Sequence, residues 1–299
     1  MPNNSINTNA ASLVALQNLS ATQAQLGMVQ NRINTGLKIS SAKDNGAIWA
    51  ISQTEKAQAT SLDAVTNSLN NGKSVLDTTL QAGSQMTDIL NQMRSKALAA
   101  SDAGIDDASR TQYQSEFVKL GQSYANVIAS AGFNGVNLID ESTGSISAIG
   151  SSDGAIKITS AHNKLDAFTV FSGALTVTAG TVTAPATTAT VDQVTAVTTA
   201  WADGTGAAAA SALTTVDSAI KSVTQGLSGF GVDAKAIDNQ LNLVGKLQDS
   251  LNTGIGNLVD ANLAQESASL QALQTKQQLG VQALSIANQS TGILLGLFR

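Results

Sequence analysis

The sequence contains no cysteine, a single histidine and only two prolines in 299 residues. Without cysteine there is no disulfide framework, zinc–thiolate centre or thiol nucleophile. One histidine removes most metal and acid–base constellations, which draw heavily on imidazole. Charge is scarce too: charged residues make up 12%, about half the usual share, and the net charge is −5. The 16 basic residues are scattered and form no patch for a phosphate backbone, so nucleic acid is not expected as a partner. No run of about 18 apolar residues occurs, so no membrane span is expected. The opening Met1-Pro-Asn-Asn-Ser-Ile-Asn-Thr-Asn9 lacks the basic start and apolar stretch of a secretory signal, and any export is expected by a route that reads no cleaved leader.

Site chemistry is equally thin. There is no Gly-rich phosphate loop, Walker-type lysine or dinucleotide fingerprint. His162 reads as an exposed loop residue of Ser160-Ala-His-Asn-Lys164. Asp102, Asp106 and Asp107 lack the spacing of a calcium loop and read as helix caps. Asp140-Glu141 has no pocket implied around it. No catalytic, metal or cofactor residue is expected, and the chain reads as a non-enzyme.

What remains is a chain with 42% apolar residues and only 3% aromatics, suited to helices packed side by side. Pro2 and Pro185 leave long stretches without a helix breaker. Leu19, Leu26 and Ile33 recur every seventh residue beside Val29, with Asn9 or Ser12 as the cap and Gly36 as the end. From Ala47 to Ala100 one heptad position reads Leu62, Leu69, Leu76, Gly83, Leu90, Ala97, and another reads Val65, Gly72, Thr79, Met86, Met93, Ala100. At 1.5 Å per residue such a helix is roughly 80 Å long, which makes the expected molecule a rod. A further helix follows Asp102–Asp107 through Tyr113, Phe117, Leu120 and Tyr124, ends near Gly132, and gives way to a turn at Phe133-Asn-Gly135.

The period then changes. Ala155–Thr159 and Phe168–Phe171 alternate as short strands, with turns at Asp153-Gly154 and Asn163-Lys164, so one or two hairpins are expected. Residues 173–206 are biased: 24 of the 34 are Thr, Ala or Val, with no Lys or Arg, and composition alone leaves a sheet, loop or linker open. Helical spacing returns after Gly206 through Leu213, Val216, Ile220, Val223, Leu227 and Phe230, resumes at Ile237 after an interruption at Gly226–Gly231, and continues to the C-terminus. This divides the chain into 1–44, 45–172, an insertion at 173–206, 207–260 and 261–299.

The two ends carry almost no charge. Residues 1–43 hold only Arg32, Lys38 and Lys43, and residues 261–299 only Glu266, Lys276 and Arg299. An exposed helix ordinarily carries a charged outer face, so these ends read as built to be covered by other copies of the chain. A membrane-surface helix is the weaker reading, because its polar face wants lysine and arginine. Leu19, Leu26, Ile33, Leu263, Leu270, Leu273 and Leu284 are the candidate self-assembly residues.

Ile6-Asn-Thr-Asn9, Ser12-Leu13, Asn18-Leu19 and Arg32-Ile-Asn-Thr-Gly-Leu-Lys-Ile-Ser-Ser-Ala-Lys-Asp44 closely resemble the opening of bacterial flagellins. Ala261-Asn-Leu-Ala-Gln-Glu266, Gln274-Thr-Lys-Gln-Gln278, Ala287-Asn-Gln289 and Leu297-Phe-Arg299 resemble the flagellin ending, and Phe133-Asn-Gly135 with Asn137-Leu138 resembles the family's turn after its second long helix. The likeness covers roughly 1–172 and 207–299, with Arg32, Gly36, Lys43, Asp44, Asn288 and Arg299 among the matching positions. It implies a mainly α fold, a long antiparallel coiled-coil rod made by both chain ends with a small β-hairpin or loop insertion in the middle.

It also implies a subunit that polymerises into the extracellular flagellar filament, exported unfolded through the flagellar type III apparatus. An export chaperone, a filament cap and hook-junction proteins follow as partners, and the Ser/Thr of the short middle segment as glycosylation candidates. A hook–filament junction protein shares similar ends and stays as the alternative, ahead of a secreted helical adhesin or translocator. Where receptor-stimulating flagellins show Gln-Arg-Val-Arg-Glu-Leu-Ala, this chain has Asn91-Gln-Met-Arg-Ser-Lys-Ala97. Arg94 and Glu116 remain as candidate receptor contacts, weakened by Gln92, Ser95 and above all Lys96.

Overall fold

A computed structural model describes residues 9–140, 145–161, 201 and 206–297, with 290–297 described by backbone alone. The elements, in chain order, are α1 (Ala10–Thr35), α2 (Gly46–Ala100), α3 (Asp107–Ser130), β1 (Ser145–Ile149), β2 (Lys157–Ala161), α4 (Ala207–Val259) and α5 (Leu263–Leu297). The chain divides into two compact units, Met1–Thr60 with Gln248–Arg299, and Ser61–Leu247. The mainly helical class expected from the heptads is what the structure shows.

In the first unit the two ends of the chain pair. Asn9 caps α1, its side chain accepting from Ser12 N at 3.0 Å, and Gly36 closes the helix in the left-handed region at φ 70°. The Leu19, Leu26, Ile33 heptad becomes a three-four seam running from Ser12 to Ile33 toward α5, with Thr22 and Val29 buried on it. Helix α5 answers with Leu270, Leu273, Gly280 and Leu284, half-buried at the same spacing. Gly280 faces α1 on this seam, where a Cβ would make ordinary van der Waals contact with Leu19 Cδ1 at 3.4 Å.

Beyond α1 the chain crosses the end of α4. Lys38 N donates to Val259 O at 2.6 Å and Ala261 N to Gly36 O at 2.9 Å. Ile39, Ile255 and Val259 form a small core there with Leu37, Ile48 and Trp49 against it. Asn45 then caps α2, its Oδ1 accepting from Ala47 N at 3.1 Å and Ile48 N at 3.2 Å.

In the second unit every residue of both α2 heptad lines from Leu62 to Ala100 is buried, the glycines included. Gly83 and Gly72 admit neighbours: a Cβ at Gly83 would fall 2.0 Å from Leu227 Cδ2, and one at Gly72 3.1 Å from the Cβ of Ala148. Arg94 Nε donates to Asp217 Oδ1 at 2.6 Å, and Lys73 donates to Asp238. Both ion pairs join α2 to an antiparallel α4. Phe117 of α3 packs against Trp201 with ring centroids 5.1 Å apart and the ring planes tilted by 47°.

Two expectations are corrected. Helix α4 runs unbroken through Gly226–Gly231. Buried Phe230 and Val223 lock these turns into the bundle, so packing outweighs a helix cost of about 1 kcal/mol per glycine. The strand expected at Ala155–Thr159 lies two residues later, as Lys157–Ala161. Its antiparallel partner is Ser145–Ile149, a Ser/Ala-rich segment with weak alternation, paired from Ser145↔Ala161 to Ile149↔Lys157. The turn at Phe133-Asn-Gly135 is present, closed by Val136 N donating to Phe133 O at 2.9 Å, with φ 51° at Asn134 and 79° at Gly135. Phe168–Phe171, His162, Glu141, the body of the 173–206 insertion and Arg299 lie outside the described residues.

Candidate assembly surface

The seven leucine and isoleucine positions expected to drive self-assembly divide in the structure. Leu19, Leu26, Ile33, Leu270, Leu273 and Leu284 are half-buried on the seam between α1 and α5 of the same chain, while Leu263 is exposed at the start of α5. The seam is closed at both ends by polar contacts. Ser12 Oγ donates to Asn288 Oδ1 at 2.9 Å, and Asn9 Nδ2 donates to Ala287 O at 2.8 Å. At the other end Arg32 Nη1 meets Glu266 Oε1 at 3.2 Å.

Outside that seam run two further lines of sevens that the sequence reading passed over. On α1, Val14, Ala21 and Met28 recur every seventh residue, all exposed, with Leu13 and Leu16 exposed beside them. On α5, Ala272, Leu279 and Ile286 do the same, and Leu279 and Ile286 are 59% and 68% exposed. Apolar residues scattered singly over a surface are ordinary, whereas these stand in lines at helical spacing along almost uncharged helices. Helices α1 and α5 together carry Arg32, Glu266 and Lys276, and the first two neutralise each other. The signal was present as a second heptad register, masked by the larger side chains of Leu19, Leu26 and Ile33.

The remaining matching positions are structural in their contacts. Gly36 supplies the left-handed turn that ends α1. Asp44 Oδ2 accepts from the backbone N–H groups of Ser40 and Ser41, each at 3.0 Å, and these bonds hold its carboxyl below the usual carboxylate range. Lys43 is exposed. In the second unit, Arg94 is engaged by Asp217, and Glu116 Oε2 by Lys96 Nζ at 2.8 Å. Among the described residues no helix is long and apolar enough to cross a membrane.

The terminal helices pair within the chain and carry lines of apolar residues on their exposed faces. The family described as the bacterial flagellin N-terminal helical region matches residues 6–144, and the bacterial flagellin C-terminal helical region matches residues 213–298. Flagellin FljM of Caulobacter vibrioides is 47% identical over 296 residues, covering 99% of both chains, and flagellin FljK of the same organism is 46% identical over the same span. A flagellin of Brucella melitensis is 34% identical over 301 residues, again with 99% of both chains covered. The chain belongs to the bacterial flagellin family and is a structural subunit of the flagellar filament.

Proposed function

We propose that this subunit polymerises by burying the outward lines Val14-Ala21-Met28 and Ala272-Leu279-Ile286 against neighbouring copies, while the seam through Leu19, Leu26, Ile33, Leu270, Leu273 and Leu284 holds each copy's own ends together. The observation that carries this division is the exposure of large apolar residues on helices whose one charged residue outside the Arg32–Glu266 pair is Lys276. Burying apolar surface contributes about 25 cal/mol per Å². Each outward leucine or isoleucine therefore adds on the order of 1 kcal/mol per contact. Repeated along a heterologous, non-closing lattice, such modest terms build a fibre. The subunit acts through these contacts and catalyses no reaction.

Family membership also supports the export chaperone, filament cap and hook-junction proteins as partners, and transport through the flagellar type III apparatus without a cleaved leader. The test is negative-stain electron microscopy of purified protein with short filament seeds, beside a chain lacking residues 1–43 and 261–299. The full-length chain is expected to extend the seeds into long filaments and the truncated chain to stay monomeric. Extension by the truncated chain would place assembly outside the ends.

A further inference from the structure

Of the methionines among the described residues, two are sealed and one is open. Met86 and Met93 are 0% exposed inside the second unit, whereas Met28 is 52% exposed on α1. Its neighbour Gly27 has no heavy atom within 4 Å of where a Cβ would stand, so this part of the helix surface is unobstructed. Met28 is also one of the three residues of the outward line with Val14 and Ala21.

We propose that Met28 is an oxidation site at which peroxide controls assembly, a reading that rests on the outward line being the contact between copies. The sulfur lone pair attacks one oxygen of hydrogen peroxide, the O–O bond breaks, an S–O bond forms, and water leaves. The two electrons given up by sulfur reduce the peroxide, so no further reactant is needed. The product is a methionine sulfoxide, polar and chiral where a flexible apolar side chain had been. A sulfoxide oxygen must keep a hydrogen bond or lose its hydration when a neighbouring helix covers it. Oxidised monomers therefore add poorly to a filament end, while copies already assembled have Met28 covered and are spared. The change is reversible, since sulfoxide reductases return the thioether.

The experiment treats full-length monomer with hydrogen peroxide, follows the gain of oxygen at each methionine by peptide mass spectrometry, and then measures extension of untreated seeds. The expected result is oxidation of Met28 well ahead of Met86 and Met93, with extension slowed at least tenfold. Extension recovers after methionine sulfoxide reductase, and extension by Met28→Leu, measured against its own untreated rate, is unaffected by peroxide. The leucine variant also isolates Met28 from Met1, which lies outside the described residues. Full oxidation of Met28 with unchanged extension, or equal loss of extension by Met28→Leu, overturns the proposal and leaves the outward-line reading standing. Equal oxidation rates of Met28 in preformed filaments and in monomers overturn the outward-line reading itself at this position.

Discussion

Lys96 Nζ of α2 stands 2.8 Å from Glu116 Oε2 of α3 and 5.7 Å from the centre of the Tyr113 ring. The hydrogen bond from Lys96, helped by one from Gln112, holds the Glu116 carboxyl below its ordinary value, and the same bond to Glu116 raises the Lys96 ammonium. The depressed carboxylate contributes stability that is present above the ordinary glutamate range and lost as pH falls through its lowered value. The raised lysine contributes stability present below the ordinary lysine value and lost as pH rises through its raised one. Both contributions are complete near neutrality. Lys96→Met is expected to lower the melting temperature slightly at pH 7, with the difference from the parent shrinking toward pH 3 and at high salt. Thermal melts across that range check it.

The same pair bears on receptor recognition. It occupies Glu116 and puts a cation where receptor-stimulating relatives carry leucine. The substitutions Gln92→Arg, Ser95→Glu and Lys96→Leu together are expected to raise signalling in a reporter cell line for the flagellin-sensing Toll-like receptor. No rise would show that these three positions do not limit recognition.

Glycines on the long helices fall into two groups with opposite expected effects. Gly83→Ala drives a Cβ to 2.0 Å from Leu227 Cδ2, and overpacking of this kind costs about 1–3 kcal/mol. Gly231 and Gly245 of α4 have no heavy atom within 4 Å of the built Cβ, so Gly231→Ala and Gly245→Ala gain up to about 1 kcal/mol of helix propensity in the monomer. Chemical denaturation of monomers checks the signs. A stabilised Gly83→Ala would show that Leu227 yields freely.

Inner and outer positions of the terminal pair are expected to fail differently. Leu19→Asp or Leu270→Asp weakens the α1–α5 seam within the chain, forfeiting about 1–3 kcal/mol of leucine burial and blocking filaments, while the second unit stays folded. Ile286→Asp leaves the seam intact and blocks filaments alone. Circular dichroism of the monomer beside seeded extension separates the two. Equal loss of monomer helicity in Leu270→Asp and Ile286→Asp would remove the distinction between inner and outer lines.

Much of this fold was legible because one physical rule, burial at heptad spacing, runs through it with little interference. Leu62 to Ala100 could be read position by position, and Gly36 and Asn9 marked the ends of α1 through cap chemistry that depends only on neighbouring residues. Where an outcome depended on distant partners, the sequence carried less. Gly226–Gly231 looked like a break because its support comes from packing across the bundle. Ser145–Ile149 becomes a strand through pairing with Lys157–Ala161 and attachment of Ile149 N to Ser68 Oγ at 3.0 Å. The candidate surface was half legible: scarce charge pointed to the terminal helices, but Leu19 and Leu26 drew attention to the intramolecular face and away from Met28 and Leu279.

The absence of cysteine makes the central claim directly measurable. Single cysteines at Leu279→Cys and Val14→Cys, on the outward lines, can be labelled with a maleimide in the monomer and again in seeded filaments. Rapid labelling is expected in monomers, and at least tenfold slower labelling in filaments, at both positions. Labelling at the same rate in filaments as in monomers, from variants that assemble normally, would contradict burial of these lines between copies.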